Sequence, residues 1–237
     1  MRKSSSKQQE VIEAPIGRAM QVLASAGSGK TYVLTERIRF LLENTKRGGV
    51  LALTFTNKAA EEMSERLEDI EDIEKRCWIS TIHAFAQRIL KQYSHTIGLP
   101  SELYVYERDQ DRKAIFLQTL RETGIDIDSF LDVEEERLKK RENLIHERLK
   151  QFSTVKRELL NEYEIKDRFS ENEKFLSIFN AYQNSLLESG GIDFDDILVY
   201  SHKILLEQPW CAQIYREKYR HICVDEAQEH NKAHYEI

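Results

Sequence analysis

The sequence has few of the residues that punctuate or cross-link a chain: three cysteines, three prolines and nine glycines among 237 residues. An odd cysteine count without a Cys-x-x-Cys pair argues against a disulfide framework and against a zinc site. Cys77 and Cys223 lie in apolar stretches, where we predict buried free thiols. Free thiols are typical of the reducing cytosol, so we expect a cytoplasmic protein.

Long apolar runs are also missing. No run approaches the roughly 20 residues that a membrane helix needs. The N-terminal "MRKSSSKQQE" is basic, but no apolar stretch follows it, which argues against a secretory signal. Hydrophobic residues make up 41% and the mean hydropathy is -0.58, values that allow a sizeable core in one large or two modest domains. The net charge of -6 excludes a uniformly basic surface, although a narrow channel can be locally basic.

Four short apolar runs rich in β-branched residues are typical of strands buried on both faces of a sheet. These runs are 20–25, 49–55, 77–82 and 221–227. Helical stretches at 30–44 and 57–75 separate the first three. The alternation predicts an α/β fold with a parallel sheet and right-handed connections.

The pattern changes in residues 100–188, where we predict helices at 108–122, 134–160 and 171–188 and no strand. Four apolar residues share one face of the middle helix: Leu138, Ile145, Leu149 and Phe152. The paired glycines of "ESGGID" predict a helix stop. The sequence therefore predicts an all-helical insertion within the α/β domain.

The stretch "ASAGSGKT" at 24–31 follows a predicted strand and precedes a predicted helix, the context of a phosphate-binding loop. Gly27 and Gly29 allow the backbone to turn its N–H groups towards a phosphate. The helix N-terminus adds its dipole. Lys30 is then placed for the β- and γ-phosphates, and the Thr31 hydroxyl for Mg²⁺. The alternative is a glycine-rich turn with an accidental Lys-Thr.

Two carboxylates follow the predicted strand at 221–227, and ligands of open α/β sheets bind at the carboxyl ends of strands. We expect Asp225 to hold Mg²⁺ and Glu226 to position and deprotonate the attacking water. The alternative is a solvated surface pair.

Six segments, in this order and spacing, resemble the N-terminal part of the UvrD/Rep/PcrA-type superfamily-one DNA helicases. They are "QQEVIEAP" 8–15, "ASAGSGKT" 24–31, "LTFTNKAAEEM" 53–63, "STIHAFAQRIL" 80–90, "GIDFDDIL" 191–198 and "VDEAQEHN" 224–231. The resemblance implies a RecA-like P-loop NTPase domain, 1A, at 1–99 and 189–237. It also implies a helical insertion, 1B, at 100–188, with ATP and Mg²⁺ as cofactors.

The resemblance also implies roles at the nucleotide. Gln8 reads the adenine edge, Arg37 lies near the base, and Gln228 senses the γ-phosphate. Glu226, Lys30 and Gln228 are the expected catalytic residues, and Thr31 and Asp225 the metal ligands. The expected nucleotide-binding residues are Gln8, Ala26, Gly27, Ser28, Gly29, Lys30, Thr31 and Arg37.

Two further segments carry the DNA-binding residues that the resemblance implies. These are Thr54, Phe55, Thr56, Asn57, Thr81 and His83. Phe55 offers a ring for base stacking; the alternative is a core phenylalanine. His83 would contact DNA, where a lone histidine is otherwise often structural.

The sequence departs from the family pattern at four positions. Ala24 replaces the first glycine of the loop, and Glu229 replaces the usual aspartate. His230 and His234 also stand where the family has other residues, with no consequence evident from the sequence.

"GIDFDDIL" contains three aspartates, Asp193, Asp195 and Asp196. We predict that they cap and position the next helix, with Phe194 and Ile197 packed inward; a metal cluster is the alternative.

The helix predicted at 134–160 is locally basic. Its basic residues are either a solvated helix face or a phosphate-contacting surface for single strands or duplex.

We therefore expect the N-terminal fragment of an ATP-dependent helicase that moves 3′ to 5′ on single-stranded DNA and at single-strand/duplex junctions. The missing second RecA-like domain (2A/2B) would leave the fragment unable to unwind and nearly unable to hydrolyse ATP. We expect a monomer without membrane contacts, associated with the nucleoid. The alternatives are a complete P-loop enzyme such as a small kinase, and a non-catalytic nucleic-acid or protein-binding module.

Overall fold

The computed structural model describes residues 4–25, 27–125 and 138–237. The chain divides into two compact units. The first contains residues up to Phe85 and Gln208–His230, and the second contains Ala86–Glu207 and Asn231–Ile237. These limits differ from the predicted boundaries at 99/100 and 188/189, and the assignment to domains 1A and 1B stays a prediction.

The described strands are β1 (Gly49–Thr54), β2 (Cys77–Thr81), β3 (Tyr104–Tyr106), β4 (Gly191–Asp193) and β5 (Tyr219–Val224). The described α-helices are α1 (Ser6–Ile12), α2 (Lys30–Asn44), α3 (Asn57–Glu65), α4 (Ile73–Arg76), α5 (Ile82–Tyr93), α6 (Asp109–Glu122), α7 (Leu138–Arg157), α8 (Glu162–Arg168), α9 (Phe175–Glu188), α10 (Asp196–Glu207), α11 (Pro209–Lys218) and α12 (Lys232–Tyr235). Two 3₁₀ turns lie at Ser94–Ile97 and Ala227–Glu229.

The first unit is built on a parallel three-stranded sheet with the order β2-β1-β5. Every residue of the central β1 is buried, as its continuous apolar sequence requires. The sheet core contains residues of α2, α3 and the strands, among them Ile38, Leu42, Val50 and Met63. The predicted parallel sheet flanked by helices is therefore confirmed.

The strand predicted at 20–25 is wrong. In the described structure these residues belong to no strand, and Leu23 is 87% exposed. An apolar sequence makes a segment suitable for a sheet, but a strand also requires a neighbouring backbone that pairs with its N–H and C=O groups. The helix predicted at 57–75 is also interrupted, since α3 ends at Glu65 and α4 begins at Ile73.

The second unit is a helical bundle around aromatic residues. Phe116, Phe152, Phe175 and Tyr182 are at most 1% exposed and meet mainly edge to face. The predicted apolar face of α7 is confirmed at Ile145, Leu149 and Phe152, which are buried. The side chain of Leu138 and residues 134–137 of the predicted helix lie outside what the structure describes.

The helical unit also contains a strand pair that we did not predict. Strand β3 pairs in parallel with β4, three residues on each side. A three-residue strand is too short to show a two-residue period, and its partner lies far along the chain. The predicted helix stop is confirmed, because α9 ends at Glu188 and Gly190 follows with a φ of 77°.

Two of the three aspartates of "GIDFDDIL" form a cap at the start of α10, whereas the Asp195 carboxylate accepts a hydrogen bond from Arg157 Nε at 2.8 Å. The Asp193 carboxylate accepts a hydrogen bond from the Asp196 N–H at 3.1 Å, and Asp196 accepts one from the Asp193 N–H at 3.0 Å. Ile197 is buried as predicted, but Phe194 is 43% exposed, so its predicted inward packing is wrong. Among the residues described, no group of three or more His, Cys, Asp or Glu is arranged to hold a metal ion.

The same two aspartates hold a buried lysine from α7. Lys156 Nζ lies 2.7 Å from Asp193 and 2.9 Å from Asp196, with all three side chains at most 1% exposed. Arg112 approaches Asp193 at 3.5 Å. Burial raises the pKa of Asp196 to about 6, and the two carboxylates raise the pKa of Lys156 despite its burial. Lys156 is therefore not part of a solvated basic face.

The three cysteines are buried free thiols, as predicted for Cys77 and Cys223. Burial raises the pKa of the Cys77 thiol to about 12 and that of Cys223 to about 11. In the parts of the chain that the structure describes, no helix is both long and apolar enough to span a membrane.

Candidate nucleotide- and DNA-binding site

The glycine-rich loop before α2 has the backbone conformation that its sequence predicts. Gly27 and Gly29 have φ angles of 75° and 88°, in the region that glycine occupies without strain. A Cβ on Gly29 would also lie 3.3 Å from Gln8 Nε2. Ala26, one of the predicted nucleotide-binding residues, lies outside the described residues, and Ser28 is exposed on the loop.

The loop continues directly into α2, whose first two residues are Lys30 and Thr31. Lys30 Nζ donates to the Ala24 carbonyl at 3.4 Å, so the ammonium group folds back over the loop. Thr31 Oγ1 donates to Asp225 Oδ2 at 3.3 Å. This contact brings together the two residues that we predicted as metal ligands.

Asp225 is held at the end of β5. Its N–H donates to the Leu53 carbonyl of β1 at 2.8 Å, which extends the strand pairing by one residue. Its side chain is largely protected from solvent, since the residue is 7% exposed. The carboxylate therefore has a fixed position beside the first turn of α2.

Glu226 follows in the left-handed region, with a φ of 49° that is uncommon for a residue with a side chain. Its N–H donates to Asp225 Oδ1 at 3.0 Å, and its carboxylate accepts a hydrogen bond from the Gln228 amide. Backbone strain of this kind concentrates at functional sites. Two of the three predicted catalytic residues, Glu226 and Gln228, are thus in direct contact.

Gln8 lies against the loop. It completes a capping box with Ser5 at the start of α1, and its Nε2 donates to the Ser28 carbonyl at 3.1 Å. Arg37 of α2 is buried, and its guanidinium donates to the carbonyls of Ile12 at 2.8 Å and Ala14 at 2.5 Å. These contacts support a role for Arg37 in positioning α1, and with it Gln8, at the loop.

The predicted DNA-binding residues of "TFTN" follow β1. Phe55, Thr56 and Asn57 are exposed, and Phe55 is 49% exposed, which excludes the core alternative. Thr56 caps α3 by accepting from the Ala59 N–H at 3.1 Å. Thr54, in contrast, is 1% exposed and its hydroxyl donates to the Thr56 carbonyl, so it shapes the turn.

The predicted DNA-binding residues of "STIHAF" follow β2. Thr81 is partly buried and accepts a hydrogen bond from the Ala84 N–H at 3.2 Å. His83 is partly buried as well.

The sheet register brings the predicted site residues together. Thr54 is opposite Thr81, and Leu53 is opposite Val224, the residue before Asp225. The carboxyl ends of three parallel strands therefore bring the predicted DNA-binding and metal-binding residues to one edge of the sheet.

His230 also lies at this edge, although we did not predict it as a site residue. Its ring stacks on Phe55, with centroids 6.2 Å apart and planes 28° apart. Its departure from the family pattern and its place two residues after Gln228 were visible in the sequence. The sequence did not indicate that its partner is Phe55, which lies 175 positions earlier in the chain.

Two features together define a P-loop nucleotide-binding α/β domain. The loop before α2 has two glycines with positive φ, and a buried aspartate at the end of a strand accepts a hydrogen bond from the threonine in the first turn of that helix. The chain belongs more narrowly to the UvrD/REP helicase N-terminal domain family, whose profile matches residues 4–237.

Several curated proteins are similar over nearly the whole chain. The DNA helicase II of Haemophilus influenzae is 31% identical in a match that covers 98% of this chain and 31% of that protein. The ATP-dependent DNA helicase UvrD1 of Mycobacterium tuberculosis is 35% identical over 92% of this chain and 28% of its own length. The ATP-dependent DNA helicase PcrA of Staphylococcus aureus is 30% identical, with 98% and 30% covered. The chain thus spans about a third of the length of these relatives.

Proposed function

We propose that this chain is the ATP- and single-stranded-DNA-binding N-terminal portion of an ATP-dependent DNA helicase. The observation that carries the proposal is the contact between Thr31 and Asp225 beside a left-handed glycine loop. The names of the relatives support ATP as the nucleotide and DNA as the substrate. We further propose 3′ to 5′ movement along single strands, and action at single-strand/duplex junctions, for the longer protein.

The residues at the loop fit a nucleoside triphosphate with a divalent cation. The loop backbone and Lys30 would hold the phosphates, and Gln8 would hold the adenine. Thr31 and Asp225 present a hydroxyl and a carboxylate, the hard oxygen ligands that Mg²⁺ prefers. When bound, Mg²⁺ neutralises charge on the phosphate oxygens.

Glu226 and Gln228 are the proposed catalytic pair. Glu226 follows the buried Asp225 directly and would accept the proton of the attacking water. The Gln228 amide holds the Glu226 carboxylate and would orient it. We propose that Gln228 exchanges this partner for the γ-phosphate, which would connect the nucleotide to the segment that follows.

The part of each relative that matches this chain is 28–31% of that relative's length. We therefore propose unwinding only for a protein with the full length of the relatives. We propose that residues 1–237 alone bind nucleotide and single strands, but hydrolyse ATP slowly and do not unwind. A monomer is the proposed state.

The test is ATP turnover by the 237-residue chain with and without single-stranded DNA, beside Lys30→Ala and Glu226→Gln. Binding of a fluorescent ATP analogue is measured on the same samples. We expect the unsubstituted chain to bind the analogue with negligible turnover. Lys30→Ala should weaken binding, whereas Glu226→Gln should retain it.

Two outcomes would contradict the proposal in different ways. DNA-stimulated turnover that both substitutions abolish would show that the chain completes its own catalytic site, which contradicts the proposed slow hydrolysis. Absence of analogue binding together with absence of single-strand binding at low salt would overturn the proposed function itself.

A further inference from the structure

Phe55, which is exposed, and His230, which is partly buried, form a two-ring stack at the edge of the sheet. Their ring centroids are 6.2 Å apart and their planes are inclined by 28°, an offset stack. Phe55 is 49% exposed, whereas Phe116, Phe152 and Phe175 of the helical unit are at most 1% exposed. The fold therefore buries these three phenylalanines in the helical core but leaves the Phe55 ring accessible.

The surface lies where two parallel strands end. Phe55 directly follows β1, and His230 follows β5 after the 3₁₀ turn at Ala227–Glu229. Ligands of open α/β sheets bind beyond the carboxyl ends of their strands. The exposed side chains next to Phe55 are Thr56, Asn57 and Lys58, which are polar or basic and suit a phosphodiester backbone.

We propose that His230 contacts nucleobases, and that with Phe55 it forms a stacking surface for unpaired bases of a single strand. The inference rests on the proposed function and adds to it a residue that the family pattern does not supply. Aromatic faces stack on all four bases, so the surface binds without sequence preference. Burial lowers the pKa of His230, which favours the uncharged form of its ring.

The position of His230 also connects the base surface to the nucleotide site. The His230 N–H donates to the Ala227 carbonyl at 3.2 Å, which closes the turn after Glu226. The Gln228 amide lies on the Glu226 carboxylate within the same turn. If Gln228 exchanges the Glu226 carboxylate for the γ-phosphate, as proposed, the exchange would act on the turn that precedes the His230 ring.

The experiment uses the 237-residue chain, three substitutions of His230 and one control substitution. His230→Ala and His230→Gln remove the ring, and His230→Phe retains one. Tyr163→Ala is the matched control, since it removes a ring that is 80% exposed on α8 of the helical unit. The probe is a single-stranded oligonucleotide containing 2-aminopurine, whose fluorescence is quenched when the base stacks. Affinity is followed by anisotropy over a range of salt concentrations.

We expect His230→Ala and His230→Gln to weaken single-strand binding by about 5-fold to 150-fold, the range of one lost base stack. The 2-aminopurine quenching should fall with it. The salt dependence should not change, because no phosphate contact is removed. His230→Phe and Tyr163→Ala should bind like the unsubstituted chain. Binding of the ATP analogue should persist in all variants, which shows that they are folded.

Wild-type affinity and quenching in both His230→Ala and His230→Gln would overturn the inference and leave the proposed function standing. Failure of His230→Phe to retain binding while it keeps ATP-analogue binding would also overturn the inference, because the ring would not be what matters. No binding by the unsubstituted chain at low salt would overturn the inference together with the DNA-binding part of the proposed function.

Discussion

Thr31 Oγ1 lies 3.3 Å from Asp225 Oδ2, although 194 positions separate the two residues along the chain. Thr31 belongs to the first turn of α2, and Asp225 follows the last residue of β5. The pairing of Asp225 with Leu53 of β1 fixes the aspartate at this distance from the loop. The proposed cation site therefore depends on the register of the sheet as much as on either motif.

The first prediction concerns the Thr31 hydroxyl. Thr31→Val keeps the shape of the side chain but removes the oxygen, and we expect Mg²⁺-supported ATP-analogue binding to weaken by about tenfold or more. A hydrogen bond or ligand to a charged group contributes about 1.5–3 kcal/mol. Thr31→Ser is the control and should retain affinity. Equal affinities of Thr31→Val and Thr31→Ser in Mg²⁺ would exclude the hydroxyl as a ligand.

A second prediction concerns Gly29, which has a φ of 88°. Gly29→Ala adds a Cβ 3.3 Å from Gln8 Nε2, and we expect ATP-analogue binding to fall sharply. The matched control is Gly98→Ala, since Gly98 has a φ of 80° and open space around it. Both should lose about 1–2 kcal/mol of unfolding free energy in urea titrations, because both strain the backbone. Loss of binding in both variants would attribute the effect to general destabilisation.

A third prediction addresses the buried lysine. Lys156→Met removes the partner of two buried carboxylates and should lower the free energy of unfolding by about 3–5 kcal/mol. Lys150→Met, on the exposed face of the same helix, should change it by about 0.5 kcal/mol or less. Chemical denaturation followed by circular dichroism measures both. Similar stabilities for the two variants would contradict the role assigned to the Lys156 cluster.

The fourth prediction is a pH dependence of stability. Burial raises the pKa of Asp196 from its ordinary value of 3.8 to about 6, so the folded state binds more protons than the unfolded state between about pH 4 and pH 6. The contribution of Asp196 to stability is thus present below pH 4 and is lost as the pH rises through 6. Asp193 contributes to the pH dependence of stability with the opposite sign, because Lys156 lowers its pKa. Its contribution to stability is lost as the pH falls below 4.

Urea titrations at several pH values between 4 and 6.5 measure this slope. Asp196→Asn should remove the decline in stability with rising pH, whatever its effect on absolute stability. Asp109→Asn, at a carboxylate whose side chain is 72% exposed, should retain the slope of the unsubstituted chain. A slope that survives Asp196→Asn would assign the titration to another group.

Much of the fold and of the candidate site follows from local sequence. The continuous apolar runs of β1 and β2 and the helical period of α2 and α7 are properties of short segments. The left-handed conformation of Gly27 and Gly29 could be predicted from the loop sequence alone, because glycine has no Cβ atom to oppose it. The cap formed by Asp193 was likewise predictable, since donor and acceptor are three residues apart.

Only the tertiary structure decided which of these segments meet. Residues 20–25 have the composition of a strand, yet a strand also needs neighbours that supply hydrogen bonds. Lys156 is in a basic helix by sequence, but Asp193 and Asp196 from a distant segment make its burial possible. The stack of His230 on Phe55 arises in the same way, from the parallel ends of β1 and β5. Pairing, charge compensation and stacking are contacts between remote residues, and no local pattern encodes the partner.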